Sequence, residues 1–488
     1  MLNVSEDGKE MVRKLKEEMV SSIKEFNDDF PNNQDVTIKK KTTKSGKVKH
    51  RLCLTPYIKQ DDPQNIQMLK NEIEWLWPNN SLLDILKEAD LRIGLTQELI
   101  RMTDRVAIDP KVLQERLLLC LFAMGTNTEF KKVCAGSAHT EADLLYVKKR
   151  FITPEGLQHI LTKLSNSILA IRDKKIWGNS ISLFASDATK FAVWDGNAMS
   201  EYHIRYQGDG VMAYWHVDKK ALCISGQLRK CGDSEVVSML TGLLHHGTEA
   251  KIKEHVTDTH GQSFVAFAFT YLLGIDLRPR IKGIGKIKLS KPDHNFPKAY
   301  YENIEPVMGK AINWQLILKH YDQIIRYLVA FKLRTAEPEV LFKRFIVENR
   351  NDSLYKAVVE LGHAVYTGRF GCKYLMIKDF RIETEEAANV IENWNSGNHF
   401  TCFGKRGVIS SNDAIEQEMS ILALHLLQSS LVYINMLMIQ RVLKGRKWKN
   451  KLTLEDKRAL TALFFLHLNQ YGTYTLNMDK RLKIDKEE

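Results

Sequence analysis

Two aspartates each close a short hydrophobic run. Asp187 ends Leu183-Phe184-Ala185-Ser186-Asp187, and Asp258 follows Val256-Thr257 and leads into a helix-like segment. Acids placed where strands give out can hold a divalent metal between them. In a chain of net charge +12 the substrate that suits such a pair is a phosphodiester. Either aspartate alone reads more readily as the cap of the helix or turn that follows it than as a catalytic group. The two together, on strands of one sheet, argue for chemistry.

Two-metal phosphoryl transfer needs carboxylates that hold two magnesium ions, and magnesium keeps several waters, so few protein ligands suffice. A third carboxylate is expected from a later helix. Glu383, Glu385 and Glu386 form an acidic run suited to a solvated helix start. Glu418 has Ala414, Ile415, Ile421 and Leu422 at helical offsets, a wall suited to an acid in a packed interface. Glu392 has Ala388, Asn389, Asn395 and Ser396 at the same offsets. That small, polar face leaves room for metal, water and a DNA strand, and favours Glu392.

Cations flank these acids. Arg278, Arg280, Lys282, Lys286, Lys288 and Lys291 follow Asp258 with no acid from 277 to 292, and Gly404-Lys405-Arg406-Gly407 forms a second basic turn. Such groups beside a metal cluster suit a scissile backbone, although a basic run is also what a solvated loop looks like. A third cluster, Lys39, Lys40, Lys41, Lys44, Lys47, Lys49 and Arg51, falls in a region read as a hairpin turning at Lys44-Ser45-Gly46-Lys47. It reads either as a solvated face or as a phosphate contact. His245, His246, His255 and His260 surround Asp258 and read as helix-surface residues, with a general base as the alternative. Trp194, Trp215 and Trp394 read as packing residues. Gly283-Ile284-Gly285 holds too few glycines for a nucleotide loop.

The elements that must position these groups follow from periodicity. Residues 8–26 form an amphipathic helix and 65–177 a helical domain. Strands are expected at 181–191, 211–217, 221–228 and 252–256, with helices at 234–245 and 261–273. Three meandering strands, a helix and a parallel strand predict the front half of a ribonuclease H-like α/β core. Residues 296–380 read as a helical insertion, followed by long helices near 382–396 and 412–443.

With 488 residues, 44% hydrophobic and 27% charged, the chain is long enough for several units and buries substantial cores. Its seven cysteines show no metal-site spacing and read as reduced thiols. Its start has no signal-peptide core and its apolar runs are short, which predicts a cytoplasmic protein with no membrane partner.

Taken in order, these motifs resemble the C-terminal portion of Tn-three family replicative transposases. The matching residues are Ala185-Ser186-Asp187 with Phe191, Val256-Thr257-Asp258-Thr259-His260-Gly261, and Leu273-Gly274-Ile275 with Arg278-Pro279-Arg280-Ile281. They continue through Ile391-Glu392 with Trp394-Asn395, Phe403-Gly404-Lys405-Arg406-Gly407-Val408-Ile409, Asn412-Asp413 with Glu416-Gln417-Glu418, and His467-Leu468-Asn469 with Gly472-Thr473-Tyr474. Gly125-Thr126-Asn127 extends the similarity upstream. The resemblance implies a DDE mechanism in which Asp187, Asp258 and Glu392 hold Mg2+ or Mn2+, so it selects Glu392 over Glu418. It also implies 3′-end cleavage and strand transfer between transposon ends and target, both double-stranded DNA, by a homodimer on paired ends. Arg278, Arg280, Lys405 and Arg406 are the expected DNA contacts. Ile434-Asn435-Met436 stands where many relatives have Trp-Asn-Thr, a mark of a divergent branch. Family members are usually about twice as long, with N-terminal domains that read terminal repeats. The expectation is therefore a truncated, split or decayed copy, its residues 1–64 a remnant of an upstream DNA-binding region. A nuclease on the same fold and a non-catalytic DNA-binding remnant are the alternatives.

Overall fold

The computed structural model describes residues 7–42, 48–57, 61–103, 107–178, 182–194, 196–198, 200–203, 207–258, 263–281, 283–346, 351–470 and 474–484. Among the expected features, the Lys44-Ser45-Gly46-Lys47 turn, Thr259-His260-Gly261, Lys282 and Gly472-Thr473 lie outside these residues.

Helix α1 (Gly8–Asp29) starts at Asp7, whose carboxylate accepts from the Lys9 amide at 2.8 Å. Met11, Leu15, Met19, Ile23 and Phe26 recur at helical spacing and are all buried. Strands β1 (Val36–Thr42) and β2 (Val48–Leu54) then pair antiparallel. The helical region that follows comprises α2 (Gln64–Leu76), α3 (Leu82–Ile93), α4 (Leu95–Arg101), α5 (Pro110–Thr126), α6 (Phe130–Cys134), α7 (Glu141–Phe151), α8 (Pro154–Ile171) and α9 (Lys174–Trp177).

The central sheet is built from β3 (Leu183–Phe191), β4 (Glu201–His203), β5 (Gly208–Asp218), β6 (Cys223–Arg229), β7 (Glu254–Thr257) and β8 (Asp276–Pro279). Helix α10 (Glu235–His245) joins β6 to β7, and α11 (Phe264–Leu272) joins β7 to β8. β6, β5 and β3 form an antiparallel run, and β7 and β8 continue it parallel to β3. β4 pairs with the first residues of β5. The expected strands are present; β4 and β8 were not foreseen, being three and four residues long.

A short parallel pair, β9 (Leu289–Lys291) with β10 (Met308–Ala311), precedes α12 (Trp314–Lys332), α13 (Pro338–Ile346) and α14 (Ser353–Val365). A π-helical turn at Tyr366–Gly371 leads into α15 (Cys372–Met376). The later helices are α16 (Lys378–Thr401), α17 (Ala414–Leu443) and α18 (Leu454–Ala459).

Strand alternation places the sheet between two hydrophobic cores. Val211, Ala213, Trp215 and Val217 of β5 join a core shared with α2–α9 and α17. Met212 and Tyr214 join a second core with α1, the hairpin residues Val36 and Leu52, α10, α11 and α12–α15. Helix α17 is long and apolar enough to cross a membrane, but 94% of its apolar window is buried within the protein. It is the central strut of the first core.

Trp215 pins the first core to the sheet. It is fully buried, packs edge-on against Trp394 of α16 at 6.1 Å, and leaves no space for a side chain at Gly226, where a Cβ would sit 2.5 Å from its ring. Trp215→Ala should cost about 3–5 kcal/mol of stability, read from the shift of the urea midpoint. A loss within about 0.5 kcal/mol, typical of a surface change, would show that this contact does not hold the sheet to its helices.

Candidate active site

The register of the sheet brings three charged residues into one row. Ser186 of β3 pairs with Thr257 of β7, and Thr257 pairs with Pro279 of β8. The next residues along, Asp187, Asp258 and Arg280, therefore lie side by side at spacings near the ~4.8 Å between strands. The Arg280 amide donates to the Thr257 carbonyl at 2.8 Å, which carries the ladder one step past β8. The row lies at the C-terminal ends of β7 and β8, where open α/β sheets place their ligands.

Helix α16 crosses this row and is held there by amides. Asn395 donates to Asp187 Oδ2 at 3.0 Å and accepts from the Thr189 hydroxyl at 2.5 Å. Asn398 donates to Thr189 Oγ1 at 3.1 Å, and Gln428 of α17 donates to Asn398 at 2.6 Å. Ala387, Ala388, Ile391 and Trp394 bury the helix's apolar side. Glu392, three residues before Asn395, is thereby carried to the same edge, where its side chain is 56% exposed. The side chains of Asp187 and Asp258 are half-buried.

Arg280 ties the acids together. Its guanidinium donates to Glu392 at 2.6 Å and pairs with Glu385 at 2.8 Å. Burial alone would lower its pKa, but these carboxylates outweigh that and raise it above the usual value. Among the described residues no three His, Cys, Asp or Glu side chains form a ready metal cage. The donor chemistry still fits a hard cation: two aspartates stand in one row, and a third carboxylate is held close by an exchangeable cation. Beside Glu392 a polar groove of about 670 Å³ runs past Asn389, Asn393, Ser396, Lys219 and Arg458.

Other expectations fall out differently. Arg278 is buried; it pairs with Glu254 and with Glu383 at 3.1 Å, and lies 4.0 Å from the Phe380 ring centroid. As a β8 residue it points into the protein, so its guanidinium serves an internal network rather than an exposed phosphate surface. Glu383, Glu385 and Glu386 are not a merely solvated helix start, because Lys219, Arg278, Arg280 and Arg458 pair with them. Glu418 lies beside α8; burial and then the nearby Glu155 push its carboxyl pKa up. Trp215 and Trp394 are core residues, whereas Trp194 is 59% exposed.

Lys405 and Arg406 are exposed at successive left-handed positions (φ 48° and 57°). The turn is tied down by Asn127, whose amide donates to the carbonyls of Gly404 and Val408 at 3.1 and 2.9 Å. Ile409 then bonds to Ala192, just beyond β3, which brings this basic turn to the end of the strand that carries Asp187. Asn395, Thr189 and Asn127 were not read from the sequence as site-building residues. Asn395 enters there only as a small polar neighbour of Glu392, and Asn395 and Asn127 both fall within the resembling motifs.

The histidines also depart from expectation. His255 is a β7 residue in the core, bonded to Ser186 Oγ at 2.8 Å, and Ser186 also bonds the Tyr214 hydroxyl at 2.7 Å. Burial pushes its pKa well below the ordinary value, so it is a neutral structural group and not a surface residue. His216, 5.5 Å from it, is pushed down to about 3, and His425 and His467 to about 4, chiefly by burial. His245 and His246 are half-buried at the end of α10.

Acids in a row at strand ends, faced by a helical glutamate and flanked by cations, are an arrangement whose donors suit a divalent cation. The chain belongs to the Tn3 transposase DDE domain family, whose model matches residues 84–474. DDE domains generally use divalent metal ions. The chain is 25% identical over 429 residues to the transposase for transposon Tn501 of Pseudomonas aeruginosa, covering 87% of this chain and 42% of the relative. It is 24% identical over 482 residues to the transposase for transposon gamma-delta of Escherichia coli (strain K12), covering 97% and 46%. For the transposase for transposon Tn1546 of Enterococcus faecium the figures are 21% over 432 residues, 88% and 43%. The chain thus spans less than half the length of these relatives.

The buried histidines set a pH dependence. Each is neutral when folded but takes a proton near pH 6.5 when unfolded, so the unfolded state binds more protons between that pH and the depressed folded values. Their contribution is complete above about pH 6.5 and is lost as pH falls toward the folded pKa values of about 3 to 4. Urea midpoints should decline steadily from neutral pH into this acid range. A midpoint that stays flat there would contradict burial of neutral imidazoles.

Proposed function

We propose that this chain is the catalytic part of a transposase that cleaves transposon DNA at the 3′ ends and joins them to target DNA in replicative transposition. The observation that carries the reading is the row Asp187–Asp258 with α16 bonded across it by Asn395, which brings Glu392 to the same edge. The sheet order β6-β5-β3-β7-β8, antiparallel and then parallel, supports a ribonuclease H-like core. In this reading residues 178–295 and 381–488 form the core, 296–380 the helical insertion, 65–177 a linking domain and 1–64 a basic DNA-facing segment.

Asp187, Asp258 and Glu392 would hold Mg2+ or Mn2+. Bound there, two such ions lower the pKa of an attacking water or hydroxyl and stabilise the departing oxygen of the phosphodiester. The protein's own residues do the rest. Asn395 fixes one oxygen of Asp187 and keeps that carboxylate aimed across the row. Arg280 balances the charge of Glu392 and Glu385 while the site is idle. With Glu392 holding a metal, the Arg280 guanidinium, still anchored by Glu385, would be available to donate to a scissile phosphate. Lys405 and Arg406, exposed at the neighbouring strand end, hold flanking phosphates. Two copies acting on paired ends in the cytoplasm complete the proposal.

Pre-nicked, labelled transposon ends incubated with plasmid target and Mg2+ or Mn2+ test this reading. Joined product is expected with the unaltered chain and none above background with Asp258→Ala or Glu392→Ala. Cutting without joining would mean a nuclease on this fold. DNA binding without either reaction, unchanged by Asp187→Ala, would mean a binding remnant.

A further inference from the structure

The hairpin β1–β2 has two unlike faces. Val36, Ile38, Leu52 and Leu54 pack into the second core. The opposite face carries Thr37, Lys39, Arg51 and Cys53, of which the first three are exposed. Lys39 stands directly opposite Arg51 across the ladder. Like charges so placed repel, and among the described residues neither has an acidic partner to offset this. An isolated two-stranded ribbon is marginal, so packing on its apolar side is what holds the cations together. The base of the ribbon is also anchored: Asp35 pairs with the buried Arg381 of α16 at 2.6 Å, and its carbonyl accepts from the Thr55 amide at 2.8 Å.

The ribbon packs against the segment that follows β8. The Arg51 side chain lies over Gly285, where a Cβ would meet Arg51 Nε at 2.0 Å, so a larger residue there would have to displace the arginine. Gly285 is five residues beyond Arg280, on the segment leaving the acid row. The acid at the ribbon's base, Asp35, is engaged by Arg381, so the exposed Lys39–Arg51 face keeps the charge complement of a phosphate backbone.

We propose that the Thr37–Lys39–Arg51 face of the hairpin grips the phosphate backbone of the duplex DNA whose scissile bond lies at the Asp187–Asp258 row. This rests on the transposase reading. The contact is independent of sequence: a phosphate seated between Lys39 and Arg51 relieves their repulsion and releases counterions. Thr37 offers a hydroxyl donor to the same strand.

Cys53 shares this face and is a native probe; Cys134 of α6, also partly exposed, is the internal control. Thiol labelling of the whole chain is followed with and without saturating duplex. The expected result is loss of Cys53 labelling, unchanged Cys134 labelling, and recovery at high salt. In parallel, Lys39→Ala with Arg51→Ala should reduce the slope of log K against log salt by about 1.8, two phosphates' worth. Unprotected Cys53 in a saturated complex, or an unchanged slope, overturns the proposal. Equal protection by single-stranded RNA overturns the assignment to duplex DNA. A chain that joins DNA ends yet leaves Cys53 reactive overturns only this inference. A chain that binds no DNA overturns the transposase reading with it.

Discussion

The Asn395 side chain donates to Asp187 and accepts from Thr189, and this pair of bonds fixes where α16 crosses β3. Through Asn398 and Gln428 the same network reaches α17, so strand, helix and central strut are joined by side-chain amides. Each such bond contributes about 1 kcal/mol net, but breaking one leaves a partner unsatisfied in a mostly buried seam and costs more. The seam therefore sets a register. Moving α16 by one turn would strand these amides and carry Glu392 about 5.4 Å from the acid row.

The two cores give that seam a rigid base. Trp215 faces one core while Tyr214, its neighbour in β5, faces the other, so neither can shift without disturbing the sheet that carries Asp187. Beneath Asp187 the adjacent residue, Ser186, is locked by Tyr214 and His255. The acid row thus sits on a strand fixed from both sides. Arg280 is different: its guanidinium pairs with Glu385 and Glu392, so it is tied to the carboxylate edge by charge rather than by packing into either core.

Much of this was legible in the sequence. The strands holding Asp187 and leading to Asp258 show in their apolar runs, and the polar neighbours of Glu392 and apolar neighbours of Glu418 foreshadow the exposure of the first and the partial burial of the second. The misreadings share one cause. Arg278 looked available to DNA because no acid occurs from 277 to 292, yet Glu254 and Glu383 reach it from another strand and from α16. His255 looked like a surface histidine because β7 is only four residues long and its alternation is hard to see. β8 is as short, and β9 and β10 pair across a gap in sequence that no local pattern announces. Asn395 could not be recognised as the residue that seats α16, because its partners come from β3, some two hundred residues away.

The central claim is that α16 delivers Glu392 to a metal shared with Asp187 and Asp258. Crystals of the chain grown with Mn2+ and measured at the manganese absorption edge test it most directly. An anomalous peak between the three carboxylates, with Glu392 released from Arg280, is the predicted result. A peak elsewhere, with the Arg280–Glu392 pair intact and both aspartates bare, would contradict it.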